Sequence, residues 1–166
     1  MSIKIFEYYH GAVLTKLVRN NKPVTLTMVE NDKKGAWCEY KINDEIVLYT
    51  KYCSKPIYCE INQSFLWRFT FNPNELEHIF KQRRNCAVYT ALVCGQEQIS
   101  LFNTCIGFIQ PYELDQCISV HSFGPETLNV QLIPTCKLRI WGNINTVKNP
   151  LLVAQNRLEN WVVPGR

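Results

Sequence analysis

Two stretches of alternating residues constrain the fold of this chain most strongly. The first runs from Ile46 to Lys55 and the second from Ser64 to Phe71. Apolar and polar residues alternate in both, and β-branched or aromatic types dominate, a pattern that predicts β-strands. Lys51 stands in the first strand among residues of core type. Its ammonium group must therefore reach solvent or meet a carboxylate or a phosphate.

The segments before the Lys51 strand predict a helix and a hairpin. Residues 3–20 carry apolar side chains at steps of three and four, which predicts an amphipathic helix that ends before Pro23. Strands are predicted over residues 24–30 and 36–42. The short turn that follows joins the second of these strands to the Lys51 strand in an antiparallel hairpin.

A second helix and a buried strand follow the aromatic stretch. Asn72 supplies an N-cap, Pro73 suits the first helical position and Glu75 can complete a capping box, so a helix is predicted over residues 73–84. The nearly continuous apolar run from Cys86 to Cys94 predicts a strand that is covered on both faces.

The remainder of the chain predicts shorter elements. They are a strand at 99–102, a helix at 111–117, strands at 119–123, 128–133 and 137–141, and a capped C-terminal helix at 149–161. In that last helix, Leu151, Leu158 and Trp161 are expected to dock on the rest of the protein.

Length and composition favour one folded domain. With 166 residues, 46% of them hydrophobic, the chain can bury a sizeable core. The sequence predicts a single α/β (α+β) domain over residues 1–166, with its core at about 3–102 and a less regular part at 107–166. Its sheet is expected to be mixed, largely antiparallel, of five or more strands and flanked by helices, with 86–94 as its most buried strand.

Charge, hydropathy and cysteine usage narrow the possible binding partners, the cellular compartment and the state of the thiols. The net charge of +4 permits nucleic-acid binding without requiring it. No apolar run reaches the roughly 18 residues of a membrane span, so we expect a cytoplasmic protein without a membrane partner. None of the eight cysteines lies in a Cys-x-x-Cys pair. We therefore expect free, mostly buried thiols, in preference to a metal site or disulfides.

The order helix, three strands, further strand, helix, buried strand resembles the core of the restriction-endonuclease-like fold, the PD-(D/E)XK group. The resemblance covers about residues 3–102 and is one of layout. It implies an acidic residue on one strand and a carboxylate-x-Lys motif on the next, which together bind Mg²⁺ and activate water. On that basis Lys51 is the motif lysine, and Lys51 with Asp44 forms the candidate catalytic pair.

This sequence departs from the motif at one position. Tyr49 stands where the second carboxylate belongs, so Asp44 and Glu39 are the metal ligands that the resemblance implies only if the protein is an active enzyme with Mg²⁺. Glu7 and Glu30 are further acids that can replace a missing ligand. The segments 51–55 and 67–71 also look similar to a stretch of bacterial proteins of this length, a likeness that implies no activity.

Basic and aromatic side chains provide the candidate nucleic-acid contacts. Lys51 and Lys55 near one strand, with Arg83 and Arg84 at the end of the second helix, would meet phosphates if they lined one groove. Each also has a structural explanation, since lysines reach solvent readily and cations complement a helix C-terminus. The alternating aromatics of residues 67–71 could stack on bases, but they are more typical of a packed inner face.

These observations lead to one hypothesis and two alternatives. The chain is predicted to be a nuclease-like module of a bacterial defence or mobile-element system that binds DNA or RNA and, with an altered active site, binds more than it cleaves. The first alternative is an active, metal-dependent PD-(D/E)XK-type nuclease. The second is a module that binds a protein partner or a second copy of itself and has no role with nucleic acid.

Overall fold

The computed structural model describes residues 2–21, 24–98 and 103–164, and these contain ten strands and four helices. In chain order the elements are α1 (Ile5–Arg19), β1 (Leu26–Asn31), β2 (Trp37–Ile42), β3 (Ile46–Cys53), β4 (Ile57–Cys59), β5 (Ser64–Phe71), α2 (Pro73–Arg83), β6 (Ala87–Cys94), β7 (Cys105–Ile109), α3 (Pro111–Cys117), β8 (Glu126–Leu132), β9 (Leu138–Trp141), β10 (Leu151–Val153) and α4 (Arg157–Asn160).

The strands form two five-stranded sheets. The first sheet has the order β1-β2-β3-β6-β7, and the second sheet has the order β10-β9-β8-β5-β4. All pairs are antiparallel except β3 and β6, which are parallel from Ile46 opposite Ala87 to Cys53 opposite Cys94. A parallel pair requires a crossover connection, and here the hairpin β4–β5 and helix α2 provide it.

Two apolar layers hold these elements in one compact domain. One layer lies between the sheets, where Tyr49 of β3 and Trp67 of β5 are completely buried, and α2 and α3 close it with Leu76 and Leu114. The other layer lies on the opposite face of the first sheet, where α1 and α4 cover it. Alternation along each strand therefore divides its side chains between distinct environments.

Most of the elements predicted from the sequence are present in the structure. The first two helices, the β2–β3 hairpin, the aromatic strand, the apolar strand β6, helix α3 and strands β8 and β9 are confirmed, with small differences at their ends. β6 lies inside its sheet, although β3 is equally well buried. The strand predicted at 99–102 falls outside the described residues.

Three predictions are wrong and two strands were missed. Residues 119–123 form turns, and the predicted helix at 149–161 is instead strand β10 followed by the single turn of α4. The expected single sheet is two sheets. The short strands β4 and β7 were not predicted from the sequence. Leu151, Leu158 and Trp161 nevertheless pack against the apolar layers as expected.

No helix of the described segments combines the length and the apolar character that crossing a bilayer demands. All eight cysteines are unbridged in the structure, and only Cys136 among them is exposed.

Candidate functional site

Lys51 points into the layer between the two sheets. It lies on β3, opposite Trp37 of β2 and Leu92 of β6, and is only 7% exposed. Val47 and Tyr49 share its face of the strand and belong to the same buried cluster. The ammonium group lies 5.0 Å from the centroid of the Phe71 ring. A lysine in this position needs a counter-charge, because an unpaired buried ammonium is strongly unfavourable.

Glu75 provides that counter-charge from the N-terminus of α2. Its carboxylate forms an ion pair with Lys51 and is itself 5% exposed. The Tyr49 hydroxyl donates to Glu75 Oε1 at 2.6 Å, and the Asn72 backbone N–H donates to Oε2 at 3.0 Å. The Glu75 N–H in turn donates to Asn72 Oδ1 at 2.9 Å, which completes a capping box. One carboxylate therefore has three donors and lies at the positive end of a helix.

Tyr49 fits this arrangement as a permanent hydrogen-bond donor. Its ring is completely buried and stacks on Trp37 with centroids 5.3 Å apart. Burial, together with the nearby charge of Glu75, raises the pKa of the Tyr49 phenol far above its ordinary value. The phenol consequently stays protonated and donates to Glu75, instead of ligating a metal as a phenolate.

A second acid–base pair lies next to the first. Glu39 of β2 stands opposite Tyr49 in the strand register and is 1% exposed. His78 of α2 contacts it, with Nε2 at 2.5 Å from Glu39 Oε2, while Nδ1 lies 3.5 Å from Glu30 Oε2. Burial raises the pKa of Glu39, and the hydrogen bond from His78 partly offsets the effect. Glu39 Oε1 has no hydrogen-bond partner among the described residues.

A cavity of about 390 Å³ opens beside these two pairs. Acidic and amide side chains dominate its lining, which consists of Glu30, Asp32, Trp37, Asn72, Asn74, Glu75, Glu77, His78 and Lys81. Lys81 is already paired with Glu77 at 2.8 Å. The negative character of the cavity opposes the approach of a phosphate backbone. In the part of the chain that the structure describes, no three His, Cys, Asp or Glu side chains are grouped so as to hold a metal ion.

The structure separates the predicted catalytic pair. Asp44 is exposed in the turn before β3, where it adopts a positive φ of 58°. β3 begins at Ile46, after this turn, and Lys51 lies five residues further along the strand, or roughly 17 Å. Asp44 therefore does not share a metal site with Lys51. Glu39, the other predicted ligand, does lie close to the motif position on β3, but it is held by His78.

The predicted basic groove is also not formed. Lys55 is exposed beyond the end of β3, whereas Lys51 is closed off by Glu75. Arg83 lies eight residues after Glu75 on α2, or roughly 12 Å along the helix. Arg83 donates to Asp115 Oδ1 at 2.6 Å and to the Pro111 carbonyl at 2.8 Å.

Arg84 and the aromatic residues of β5 are the remaining predicted nucleic-acid contacts. The Arg84 guanidinium lies 5.0 Å from the centroid of the Phe80 ring, and both arginines line a cavity of about 320 Å³ that is separate from the Lys51 site. The four predicted cations consequently do not face one ligand. Trp67, Phe69 and Phe71 are buried, so they pack the core and do not stack on bases.

Glu75 and His78 are the residues of this site that sequence reasoning missed. The sequence predicts the capping box of α2, and in that prediction Glu75 serves only as a helix cap. A lysine in a core strand requires a carboxylate partner, and a carboxylate three residues after an N-cap was present in the sequence. His78 showed no comparable signal, since it has no acid at a recognisable spacing.

The comparisons with known proteins add no assignment. No family model matches the chain, and neither the curated proteins nor the solved structures give a significant match.

Proposed function

We propose that this chain is a nuclease-like module that binds nucleic acid without cleaving it. The arrangement α1-β1-β2-β3-α2-β6, with β3 and β6 parallel, is the layout expected of a restriction-endonuclease-like core into which the hairpin β4–β5 has been inserted. This agreement in layout supports the proposal. The bacterial defence or mobile-element setting remains part of it.

The observation that carries the non-catalytic part is the closure of Lys51 by Glu75. In a metal-dependent nuclease the motif lysine must be available to water and to the scissile phosphate. Here its charge is balanced by a buried carboxylate that Tyr49 and the N-terminus of α2 also hold. Substrate would have to break this ion pair in a poorly hydrated environment, at a large cost in free energy.

The nucleic-acid part is supported by charge outside the acidic cavity. The chain carries a net charge of +4, although the Lys51 site itself is lined by four carboxylates. The remaining surface is therefore more basic than the average for the chain. Such a surface attracts polyanions with an affinity that depends on salt.

Cleavage and binding assays test the two parts separately. The wild-type protein is incubated with plasmid DNA and with RNA in Mg²⁺, in Mn²⁺ and in EDTA. Fluorescence anisotropy then measures binding of labelled oligonucleotides at low and at moderate salt. We expect salt-sensitive binding and no cleavage. Metal-dependent cleavage that EDTA prevents and Lys51→Met abolishes would establish the active nuclease instead.

A protein-binding module is the second candidate, and the first edge strand favours it. Five of the six residues of β1 are exposed, among them Met28 at 57% and Val29 at 43%. An open edge strand with apolar side chains can pair with an extended segment of another chain. Absence of any affinity for DNA or RNA at low salt would make this candidate the better one.

A further inference from the structure

The outward face of the second sheet is a large surface that no described helix covers. The inward side chains of β5, β8 and β9 belong to the layer between the sheets. The buried apolar residues of all four helices belong to that layer or to the layer beneath α1. On the opposite face of the second sheet, every strand position of β4, β5, β8, β9 and β10 is half-buried or exposed, apart from Ser64.

The strand positions of this face include no acidic residue. Its strand positions are Ile57, Cys59, Ser64, Leu66, Arg68, Thr70, Thr127, Asn129, Gln131, Arg139, Trp141 and Leu152. All of them lie in the described segments, and none is Asp or Glu. Two are arginines, one is tryptophan, and most of the others are amides, hydroxyls or aliphatic side chains.

The strand register brings the arginines, the tryptophan and the amides together. Arg68, Asn129 and Trp141 stand opposite one another on β5, β8 and β9, and so they form one row across three strands. Neighbouring strands are about 4.8 Å apart, which puts Arg68 and Trp141 roughly 10 Å from each other. Gln131 and Arg139 form the adjacent row.

The two arginines differ in whether other residues hold their guanidinium groups. Arg139 donates to Gln131 Oε1 at 3.0 Å and to the Val147 carbonyl at 3.1 Å, contacts that hold its guanidinium near the face. Arg68 is exposed and makes no hydrogen bond or ion pair with any residue that the structure describes. A cation without a partner on a face without acids is complementary to an anion.

We propose that this face binds single-stranded RNA. An open sheet can present an aromatic ring to an unstacked base while arginines contact the flanking phosphates. The hydroxyl and amide side chains between them can hydrogen-bond to the 2′-hydroxyl groups that distinguish RNA from DNA. The inference rests on the proposed function and names its site and ligand class. It places the nucleic-acid site on the second sheet instead of at Lys51, Lys55, Arg83 and Arg84.

The test is fluorescence anisotropy with a short labelled RNA at several salt concentrations. Trp141→Leu should weaken binding by roughly five- to 150-fold, since stacking on one base is lost. Arg68→Gln should weaken binding and lower the slope of log affinity against log salt by about 0.7, the value for one phosphate contact with a single strand. Circular dichroism and thermal unfolding establish that both variants are folded.

Arg19→Gln provides the matched control. Arg19 is exposed at the end of α1, which covers the other side of the first sheet, so its loss removes the same charge from a distant surface. The control should bind as the wild type does. If Trp141→Leu and Arg68→Gln weaken binding no more than this control, the site is wrong, even though the proposed function still stands.

Two further outcomes separate the inference from the proposal on which it rests. A single-stranded DNA of the same sequence should bind more weakly than the RNA, and equal or tighter binding of the DNA would overturn the assignment to RNA. A wild-type protein with no affinity for any nucleic acid would overturn both the face and the proposed function.

Discussion

Replacing Lys51 with methionine should destabilise the protein because it leaves a buried carboxylate without its cation. Methionine retains much of the length of lysine and can still pack beside Phe71. Glu75 is 5% exposed, so water cannot readily take the place of the ammonium group. Breaking a buried ion pair by removing one partner costs about 3–5 kcal/mol.

The contacts that remain put the expected loss at the lower end of that range. The Tyr49 hydroxyl and the Asn72 N–H still donate to the carboxylate after Lys51 is replaced. We therefore expect Lys51→Met to lower the free energy of unfolding by about 3 kcal/mol. For a domain of this size that corresponds to a decrease of about 6–12 °C in the unfolding temperature.

The double variant Lys51→Met/Glu75→Gln tests whether the missing charge is the cause. Glutamine can replace glutamate in a capping box, so α2 keeps its N-terminal hydrogen bonds. With both charges removed, stability should recover to within about 1 kcal/mol of the wild type. Urea unfolding of the four proteins gives the coupling energy directly.

A surface pair provides the control for this cycle. Lys81 and Glu77 are 64% and 62% exposed, and Lys81→Met should leave the unfolding midpoint nearly unchanged. The reasoning fails if Lys51→Met is as stable as the wild type. It also fails if the double variant loses as much stability as the two single variants together, because the two side chains would then be independent.

The other predictions concern a buried histidine, a glycine and the cysteines. Burial lowers the pKa of His10 from its ordinary 6.5, although the hydrogen bond to the Gly35 carbonyl raises it. Below pH 6.5 the unfolded chain therefore binds the proton more readily, and stability should fall by up to about 1.4 kcal/mol per pH unit. His10→Gln should flatten this slope in thermal unfolding measured at several pH values, and an unchanged slope would assign it to another group. Gly35→Ala should lose about 2 kcal/mol or more in urea unfolding, because φ is +73° and the added Cβ would lie 2.5 Å from the Phe6 ring. Gly11→Ala is its control, since nothing lies within 4 Å of the new Cβ inside α1, and it should gain about 0.5–1 kcal/mol. Alkylation of the unfolded, unreduced protein should add eight labels by mass spectrometry, and an unlabelled pair of cysteines would contradict the absence of disulfides.

Local patterns predicted the first half of the fold because its elements are long and their partners are close in sequence. The hairpin β2–β3 needs only a short turn, and α2 carries its own capping signals. The second sheet depends on distant pairing instead, since Trp67 of β5 lies opposite Val130 of β8. Periodicity reports which side chains share a face but not which strand will be the neighbour.

The C-terminal segment shows how distant pairing overrides a local helical pattern. Residues 149–161 begin with an apparent cap and carry apolar side chains at helical spacing. In the structure Leu151 and Val153 instead pair with Ile140 and Leu138 of β9, which extends the second sheet by one strand. Strand pairing buries Val153, and only Arg157–Asn160 remain helical. Leu158 of this short helix still packs in the layer beneath α1.

The position of Glu75 follows from topology more than from any motif. β3 and β6 are parallel, so the chain must return from the Lys51 end of β3 to the Ile46 end before β6 begins. After the hairpin β4–β5, helix α2 completes this return. Its N-terminus lies beside Lys51, and Arg83 lies at the end of α2 that leads to β6. A sequence-based prediction that included this parallel pair would have placed the N-terminus of α2 nearer to Lys51 than its C-terminus, and so would have brought Glu75 toward Lys51. It would also have separated Lys51 from Arg83 and Arg84, and so it would have excluded the basic groove.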